Sequence, residues 1–558
     1  MSSLRYAKGI SLTGFPTEAS NSSNKQRLER PVPPPCPDIA PPSSPRYPRS
    51  SILIDDYFEG SSTENRAHYE TGKEFTEGGQ CTYIFCTKCP APLATVDCCD
   101  VAQVTIDMIP DVALLRIFDF YLGEPWEEQP WHPLVHVCQN WRNIVFGSPL
   151  RLNLRLHCKV RTPVRETLDV WPPLPIVISV PMLQQWGDDN IIAALEHNDR
   201  LCEIDLFFIP RSHSEKVLAA MQQQFPILKQ AKLGLGSLQD DIELVQPDSF
   251  LGGSAPRLQS LTLCRIPFPA LPKLLLSTTH LVDLHLMRMP HSGYISPEAM
   301  VTCLSMLTRL ESLMIEFRSP RSRPDRRNQR PPPQTRTLLP VLTGLWFEGV
   351  NEYVEDLMSR IDAPLLYNLR IHYFPQLIFD TPRLTQFIGR TPKLKTHRVA
   401  RLKFCDIGVY VTLRQLFEEM EFKISCRQSD WQLSSLTQVF SSSLPRDLIL
   451  SVERLEIFEI LSSQYWQDDI ESGQWLDLLR PFASVKYLHI SREFVPLITP
   501  TLQVLAREGV TEVLPALQTL FLEEPLTTGA VQEAIEEFIA ARQVSGHPVT
   551  ISGRGRMI

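Results

Sequence analysis

From about residue 200 onward, apolar residues recur with one spacing: an apolar residue, two others, a second apolar residue, one other, and a third apolar residue. The segment "RLCEIDLFF" shows this spacing as Leu201, Ile204 and Leu206. The first positions of the early copies lie 27, 30 and 23 residues apart. The alternation within each copy predicts a short strand with one apolar face. The eleven copies begin at Leu201, Leu228, Leu258, Leu281, Leu310, Leu342, Leu366, Val399, Val452, Val485 and Leu517.

Helical stretches lie between these predicted strands. In "SPEAMVTCLSMLTRL", Ser296 suits the N-cap, Pro297 the first helical position and Glu298 the first turn. A short strand–helix unit cannot bury its apolar face alone, so the repetition predicts a stack of units. In the long gap between Val399 and Val452, the segment "MEFKISC" fits the strand of a degenerate unit.

The repetition resembles leucine-rich repeats, whose units are roughly 20 to 29 residues long. The resemblance covers residues 200 to 523. The asparagine that usually follows the leucines is absent, since Leu206 is followed by "FFIP" and Leu263 by "CRIP". We therefore expect an irregular array. The last helix, "TTGAVQEAIEEFIAARQ", predicts a terminal cap whose apolar face holds Val531, Ile535, Phe538 and Ile539.

The segment "IPDVALLRIFDFYL" predicts a helix that is apolar on two adjacent stripes. One stripe holds Leu114, Ile117 and Tyr121, and the other holds Leu115, Phe118 and Leu122. A second predicted helix runs from Leu134 to about Phe146. A domain of about 50 residues is marginal by itself and cannot cover both stripes. The surplus apolar face therefore predicts contact with another protein.

Residues 105 to 150 resemble the F-box motif. The motif has an apolar–Pro pair, a helix rich in Leu, Ile and Phe, and a Val–Cys pair followed by a tryptophan and a basic residue, which here are Pro110, Val137, Cys138, Trp141 and Arg142. F-box helices bind the Skp-type adaptor of cullin–RING ubiquitin ligases, and the region after them holds the substrate. The resemblance implies a partner-binding surface made of Ile109, Pro110, Leu114, Leu115, Ile117, Phe118, Leu134, Val137, Cys138 and Trp141, with Trp141 mostly in the local core.

These patterns predict an α/β protein: an irregular leucine-rich-repeat solenoid preceded by a small all-α F-box and a disordered N-terminal tail. The tail follows from "RPVPPPCPDIAPPSSPRYPRS", which is too poor in apolar residues to offset the entropy of ordering. We expect the leader with its cysteine cluster over 1–103, the F-box over 104–156, the array over 157–526, and a capping helix with tail over 527–558.

Two further signals leave alternatives open. Tetrahedral zinc needs four soft ligands, which Cys86, Cys89, Cys98 and Cys99 could supply, but adjacent cysteines seldom reach one ion and free thiols in a disordered stretch are favoured. The segment "RSPRSRPDRRNQRPPPQTR", residues 318–336, is favoured as a solvated loop within the array, although arginine clusters also hold phosphates. We expect no metal and no cofactor.

The net charge of −8 and pI of about 6.0 argue against a dedicated nucleic-acid binder. With no long apolar run and no apolar N-terminal signal, we expect no membrane partner and a cytoplasmic or nuclear location with reduced thiols. No GxSxG, HExxH or GxxxxGK motif is present, so we expect no enzyme activity.

The sequence thus favours a substrate-recognition adaptor that joins a Skp-type subunit, and through it a cullin–RING ligase, to an unknown protein substrate. The alternative is an interaction scaffold without a ligase, whose helical domain only caps the solenoid. Isolated His397 and His489 are expected to be packing or surface residues. On the strand face opposite the leucines, candidate substrate contacts by position are Glu203, Asp205, Thr262, Asp283, His285 and Glu311.

Overall fold

The computed structural model describes most of the chain from Ile109 onward. The leader and its cysteine cluster, Leu122 and the middle of the Arg/Pro-rich insertion lie outside the described residues. The described ranges are 109–121, 132–146, 154–171, 173–180, 186–236, 249–324, 335–375, 379–426, 429–459, 472–508, 512–523 and 529–553.

The described residues begin with three short helices, after which strands and helices follow one another along the chain. The α-helices are α1 Asp111–Tyr121, α2 His132–Val137, α3 Gln139–Phe146, α4 Val164–Val170, α5 Asp188–Leu195, α6 Arg211–Ala220, α7 Leu271–Ser277, α8 Pro297–Leu304, α9 Asn351–Arg360, α10 Pro382–Arg390, α11 Ser429–Gln438, α12 Arg446–Leu450, α13 Ser472–Leu479, α14 Val495–Glu508 and α15 Ala530–Val544. At α8 the predicted start is confirmed, because the Ser296 hydroxyl accepts the Ala299 N–H at 3.2 Å.

Sixteen of the described strands form one long sheet, and two more form a separate two-stranded sheet. The strands are β1 Leu154–His157, β2 Ile176–Ser179, β3 Leu201–Ile209, β4 Gln230–Leu235, β5 Ser260–Cys264, β6 Asp283–Met289, β7 Ser312–Phe317, β8 Thr337–Leu338, β9 Gly344–Gly349, β10 Ile361–Asp362, β11 Asn368–Tyr373, β12 Val399–Cys405, β13 Gly408–Gln415, β14 Glu418–Ser425, β15 Arg454–Glu459, β16 Tyr487–Ile490, β17 Thr519–Leu522 and β18 Thr550–Gly553. The order across the long sheet is β1-β2-β3-β4-β5-β6-β7-β9-β11-β14-β13-β12-β15-β16-β17-β18, and β8 pairs with β10.

Parallel pairing of sequential strands produces the predicted stack. Leu261 of β5 pairs with Leu284 of β6, and Leu284 pairs in turn with Leu313 of β7. In the eleven predicted copies every apolar position except Val399 is buried. These side chains share one continuous core with the helices, so the helices cover one face of the sheet. The predicted α/β class with stacked strand–helix units is confirmed.

The sheet extends beyond the interval 157–526 expected for the array. It begins at β1, inside the segment assigned to the F-box, because Leu154 pairs in parallel with Ile176. It ends at β18, where Thr550 pairs with Thr519 after the last helix. Val531, Ile535, Phe538 and Ile539 of that helix do pack on the core, but α15 lies within the last strand–helix–strand unit rather than at its end.

A three-strand detour interrupts the parallel order in the middle of the sheet. β12, β13 and β14 pair antiparallel through two short hairpins, and β14 returns beside β11 while β12 lies beside β15. Two-residue connections can join only antiparallel strands, which explains the reversal. Gly408 permits β14 to approach the start of β13, since a Cβ there would lie 2.3 Å from the Ile424 carbonyl oxygen of β14. The predicted strand "MEFKISC" is confirmed as β14, in parallel register with β11.

The copy predicted at Val399 has the wrong register. Ala400 pairs with Leu455 and Leu402 with Ile457, so the first apolar position of this unit falls on His397. The spacing predicted the wrong register because Phe404, two residues after Leu402, is also an apolar, buried residue. His397 is fully buried where its neighbours have leucine or valine, and neither ring nitrogen has a hydrogen-bond partner among the described residues. The expectation that His397 is a packing residue is confirmed.

We expect His397→Leu to raise the free energy of unfolding by about 1 to 3 kcal/mol, because the variant removes two buried nitrogens without partners. Burial lowers the pKa of His397 to about 4, against about 6.5 in an unfolded chain. The unfolded chain therefore takes up a proton that the folded chain refuses, and wild-type stability falls as the pH falls from about 6.5 to about 4.

Urea unfolding between pH 4 and pH 7.5 measures both effects. His397→Leu should flatten the pH dependence, whereas the control His280→Leu, at an exposed position, should leave it unchanged. Parallel pH curves for the wild type and His397→Leu would contradict the assignment.

Candidate functional site

The first candidate surface belongs to the small helical domain formed by α1, α2 and α3. Leu114 and Phe118, one turn apart on α1, are buried against α3, and the Phe118 and Trp141 rings meet edge to face at 4.8 Å. This small core also contains Leu134, Val135, Ile144, Val145 and Leu174.

The predicted second helix is broken at Cys138. Its sulfur accepts the Trp141 N–H at 3.4 Å, so Cys138 has the position of an N-cap and starts α3 as a separate helix. Arg142 then reaches back and donates through Nε to the Val135 carbonyl at 3.0 Å. The basic residue after the tryptophan thus fastens α3 to the end of α2.

The rest of the apolar surface of α1 faces outward. Val112 and Phe120 lie on one line of the helix, with the exposed Arg116 between them, and Ile117 and Tyr121 lie on the adjacent line. Phe120 is 91% exposed and Ile117 is 50% exposed. We call this set, together with Ala113, the outer face of α1. The predicted surplus of apolar surface is present. The buried pair of α1 is Leu114 and Phe118, and each of the two predicted stripes contributes one of these residues.

The ten residues assigned to the partner surface fall into two groups. Leu114, Phe118 and Leu134 are buried in the domain's own core, and Ile109, Leu115 and Trp141 pack partly buried against it. The fold buries the first three side chains, and the partner surface itself stays a prediction. The positions left accessible are Pro110, Ile117 and Val137, together with the half-buried Cys138.

The helical domain rests on the first strand–helix unit. Leu174, in the segment between α4 and β2, is buried in the core of the helical domain. Trp171 packs partly buried against both that core and the continuous core of the stack. This contact fixes the domain at the β1 end of the sheet.

The second candidate surface is the open face, the side of the sheet opposite the helices. Strand register aligns one outward residue from each sheet strand between β3 and β17 into a row that we call the central row. It runs Asp205, Lys232, Thr262, His285, Met314, Trp346, Arg370, Glu421, Thr412, Arg401, Glu456, His489 and Phe521.

Of the predicted substrate contacts, Asp205, Thr262 and His285 lie on the central row, and Glu203 and Asp283 lie on the row beside it. Glu311 does not lie on the open face. It precedes β7, and its backbone carbonyl accepts the N–H groups of Thr343 and Gly344, while Ser312 has the outward position that aligns with Asp283. The leucine spacing alone could have excluded Glu311, because the outward positions of each copy are two and four residues after its first leucine.

A buried histidine joins three strands of the open face. His372 on β11 lies with Nδ1 3.4 Å from Glu348 of β9 and Nε2 3.2 Å from Glu421 of β14. The Trp346 ring meets the His372 ring edge to face at 5.1 Å. Burial opposes the charged imidazole, but the two carboxylates together raise the pKa of His372. His372 in turn helps to lower the pKa of Glu421 against its burial.

Paired charges and aromatic rings continue along the row toward the C-terminus. Arg401 donates to Glu456 at 2.7 Å and lies over the Phe458 ring at 5.3 Å. Phe458 meets His489 edge to face at 4.9 Å, and His489 lies 3.6 Å from Glu523. Nearly every charge here has an opposite charge beside it, so the face is polar and aromatic without a dominant sign.

The sequence analysis did not predict four residues in the middle of the open face, which are Trp346, Arg370, His372 and Glu421. Two of them could have been found, because Trp346 and Arg370 stand four residues after the leucines of their copies. Glu421 could not, because its strand belongs to the detour. His489 was named only as isolated, whereas the register places it between Glu456 and Phe521.

Two kinds of feature are absent from the described ranges. No three His, Cys, Asp or Glu side chains in those ranges come close enough together to hold a metal ion. None of the helices in those ranges combines the length and apolar composition needed to cross a bilayer. The four cysteines considered as zinc ligands, Cys86, Cys89, Cys98 and Cys99, lie outside the described residues.

Comparisons with known proteins supply no family. No protein-family model matches the chain, and no curated protein matches it. One similar solved structure is a leucine-rich repeat-containing protein, LegL7, from Legionella pneumophila, with 10% sequence identity and a TM-score of 0.27. The match covers 69% of this chain and 97% of that chain. A superposition with this score indicates nothing about function.

We expect Glu421→Gln to lower the pKa of His372, because Nε2 loses a charged partner while the burial that opposes the imidazolium remains. A raised folded pKa means that the ion pair stabilises the fold below about pH 6.5, and that this stabilisation is lost as the pH rises through the folded pKa. An NMR titration of histidine-labelled protein measures the change. The control Glu203→Gln, on the same face at β3, should leave the His372 titration unmoved, and an unmoved titration in Glu421→Gln would refute the coupling.

Proposed function

We propose that the chain is a non-catalytic recruitment adaptor. Its helical domain docks on a Skp-type subunit of a cullin–RING ubiquitin ligase, and its strand–helix stack, of leucine-rich-repeat type, holds a protein substrate. The observation that carries the proposal is the outer face of α1, an exposed apolar surface on a domain that already has its own core.

The exposed apolar residues of α1 lie together on one helix face. The repeat positions of the stack are buried, and its most exposed apolar pair, Leu416 and Phe417, lies in the two-residue connection between β13 and β14. On α1, by contrast, Phe120, Ile117, Val112 and Tyr121 form two adjacent lines in contact with water. Apolar surface gains roughly 25 cal/mol per Å² when it is covered, so a contiguous apolar helix face favours a protein partner. Arg116 within the same face adds one charge that a partner carboxylate could meet.

The F-box resemblance gives this face its partner class. Among the residues that it assigns, Pro110, Ile117 and Val137 are accessible and would contact the Skp-type subunit. Leu114 and Phe118 would act indirectly, by holding α1 on α3 so that the outer face keeps its shape. The apolar face thus supports docking, and the motif supports the choice of the ligase subunit.

The open face suits a protein substrate better than a nucleic acid. Its charges alternate in sign and are interleaved with Trp346, Phe458 and Phe521, a composition typical of protein interfaces. A substrate held there would be brought near charged ubiquitin, and the rate gain would come from raised effective concentration.

A second function has an observation in its favour. Leu174 and Trp171 join the helical domain to the first strand–helix unit, which is what a capping domain would do. On this alternative the chain is an interaction scaffold that recruits no ligase. The two functions differ in what the outer face of α1 binds.

We expect Ile117→Asp to weaken co-purification with a Skp-type adaptor by roughly thirtyfold or more, because an apolar anchor at an interface is worth about 2 to 4 kcal/mol. Leu365→Asp is the matched control, since Leu365 is also 50% exposed but lies between β10 and β11. Circular dichroism and thermal unfolding should show both variants folded like the wild type.

Loss of binding in Ile117→Asp alone would support the ligase adaptor. Equal binding by both variants would rule out the outer face of α1 as the docking surface. A wild-type chain that binds no Skp-type adaptor would leave the scaffold function.

A further inference from the structure

Three arginines lie near one another where neighbouring parallel strands end. Arg265 follows β5, Arg288 lies near the end of β6 and Arg318 follows β7. The Arg265 N–H donates to the Met287 carbonyl and the Arg318 N–H donates to the Met289 carbonyl, each at 2.9 Å, so Arg265 aligns with Arg288 and Arg318 lies two residues further along. We call these three residues the arginine ladder. Adjacent strands are about 4.8 Å apart, which sets the spacing between Arg265 and Arg288.

The turn that carries the ladder does not itself require arginine. Arg265 and Arg288 have left-handed backbone conformations, with φ of 61° and 49°. Phe208, at the same place after the β3 leucines, has φ of 69°, so this conformation belongs to the strand–helix unit. Glycine or asparagine would adopt it with less strain. Phe208 shows that the turn forms without a guanidinium group, although Arg265 Nη1 also donates to the Leu235 carbonyl of β4 at 3.5 Å.

The ladder places like charges together. Arg288 Nε lies 3.6 Å from the buried carboxylate of Glu316. Burial lowers the pKa of Arg265, and the nearby charges of Arg288 and Arg318 lower it further, against the opposite influences of Cys264 and Glu316. The repulsion that Arg265 feels from two guanidinium groups would be relieved by an anion held between them.

The chain segment that continues from the same edge of the sheet carries further positive charge. The Arg/Pro-rich insertion begins at Arg318, and in its described part Arg321 and Arg323 are exposed. The Arg323 Nε donates to the Pro320 carbonyl at 2.8 Å, and Ser322 is buried with its hydroxyl 3.4 Å from the His291 ring. The start of the insertion is thus fastened to the stack beside the ladder.

We propose that the arginine ladder is a binding site for a peptide segment that carries oxyanion groups, supplied by phosphorylated serine or threonine or by aspartate and glutamate. Guanidinium groups bind phosphate and carboxylate through paired N–H donors in a fixed plane. Arg265 and Arg288 are aligned at strand spacing and Arg318 lies two residues further along, so an extended peptide that crosses the strand ends could make more than one oxyanion contact.

This inference rests on the proposed recruitment function only in making the peptide part of the substrate. The ladder lies at the ends of β5, β6 and β7, whereas the Skp-type docking surface is on α1, so the two can fail separately. A nucleic acid is less favoured, because the whole chain has a net charge of −8.

The test uses the full-length chain and three immobilised peptide pools of degenerate sequence, with a fixed phosphoserine, glutamate or serine. Binding is followed by biolayer interferometry, with sodium phosphate and sodium chloride as competitors at equal ionic strength. The test variant is Arg265→Gln/Arg318→Gln, which leaves the Arg288–Glu316 pair in place. The control is Arg165→Gln/Arg480→Gln, which removes two exposed arginines elsewhere.

We expect the wild type and the control to prefer an anionic pool over the serine pool, and the ladder variant to bind that pool roughly tenfold to a hundredfold more weakly. Preference for phosphoserine with competition by phosphate would identify phosphate as the source of the oxyanion. Equal binding of the glutamate pool would identify carboxylates. All variants should keep the wild-type thermal midpoint and the wild-type affinity for a Skp-type adaptor.

Equal binding of all three pools, or equal loss in the ladder variant and the control, would overturn the proposal. Tighter binding of a random single-stranded DNA, lost in the ladder variant, would overturn it in favour of a nucleic-acid site. If adaptor binding fails while the ladder prefers anionic peptides, the recruitment function falls and the peptide site stands.

Discussion

The in-register burial of apolar side chains beneath parallel strands is the constraint on which the rest of the molecule depends. Each strand contributes side chains at fixed offsets, such as Leu281, Leu284 and Leu286, and pairing aligns them with those of the next strand. A slip of one residue would turn every leucine toward water. The same register fixes which residues share the open face and which stand at the strand ends. Both the central row and the arginine ladder are therefore by-products of leucine packing.

The spacing of leucines predicted the stack because burial on one face leaves a direct trace in the sequence. The leucine pattern is less regular where another residue occupies a leucine position, as at His397, and where the chain reverses direction, as at Gly408. The first strands, β1 and β2, were not predicted because each has only four residues, too few for alternation to stand out. Strand order around the detour depends on a pairing between segments distant in sequence, which no local pattern records.

The candidate surfaces were predictable to different degrees. The surplus apolar surface of α1 could be foreseen from its composition, but the choice of Leu114 and Phe118 as the buried pair depends on how α3 packs. The break at Cys138 depends on one sulfur accepting one N–H, a contact that helical spacing does not reveal. The arginine ladder could not be foreseen, because Arg265 and Arg288 become neighbours only when the strands pair.

The two proposed surfaces use different chemistry and respond differently to solution conditions. Contact with the outer face of α1 would be dominated by apolar burial, which salt weakens little. Contact with the ladder would be dominated by charge and would weaken as salt screens it. Because the surfaces lie on different elements, the affinity for one partner can change without a change in the other.

The antiparallel detour makes the order of synthesis differ from the order of assembly. A plain stack can extend one unit at a time as the chain leaves the ribosome, each new strand pairing with the last. Here β11 must wait for β14, which is made after β12 and β13, and β12 must wait for β15. A chain arrested between residues 395 and 450 would expose unpaired strand edges to chaperones or to other chains. The molecule is thus divided into an early half that can grow continuously and a later half that joins only when the two hairpins have closed.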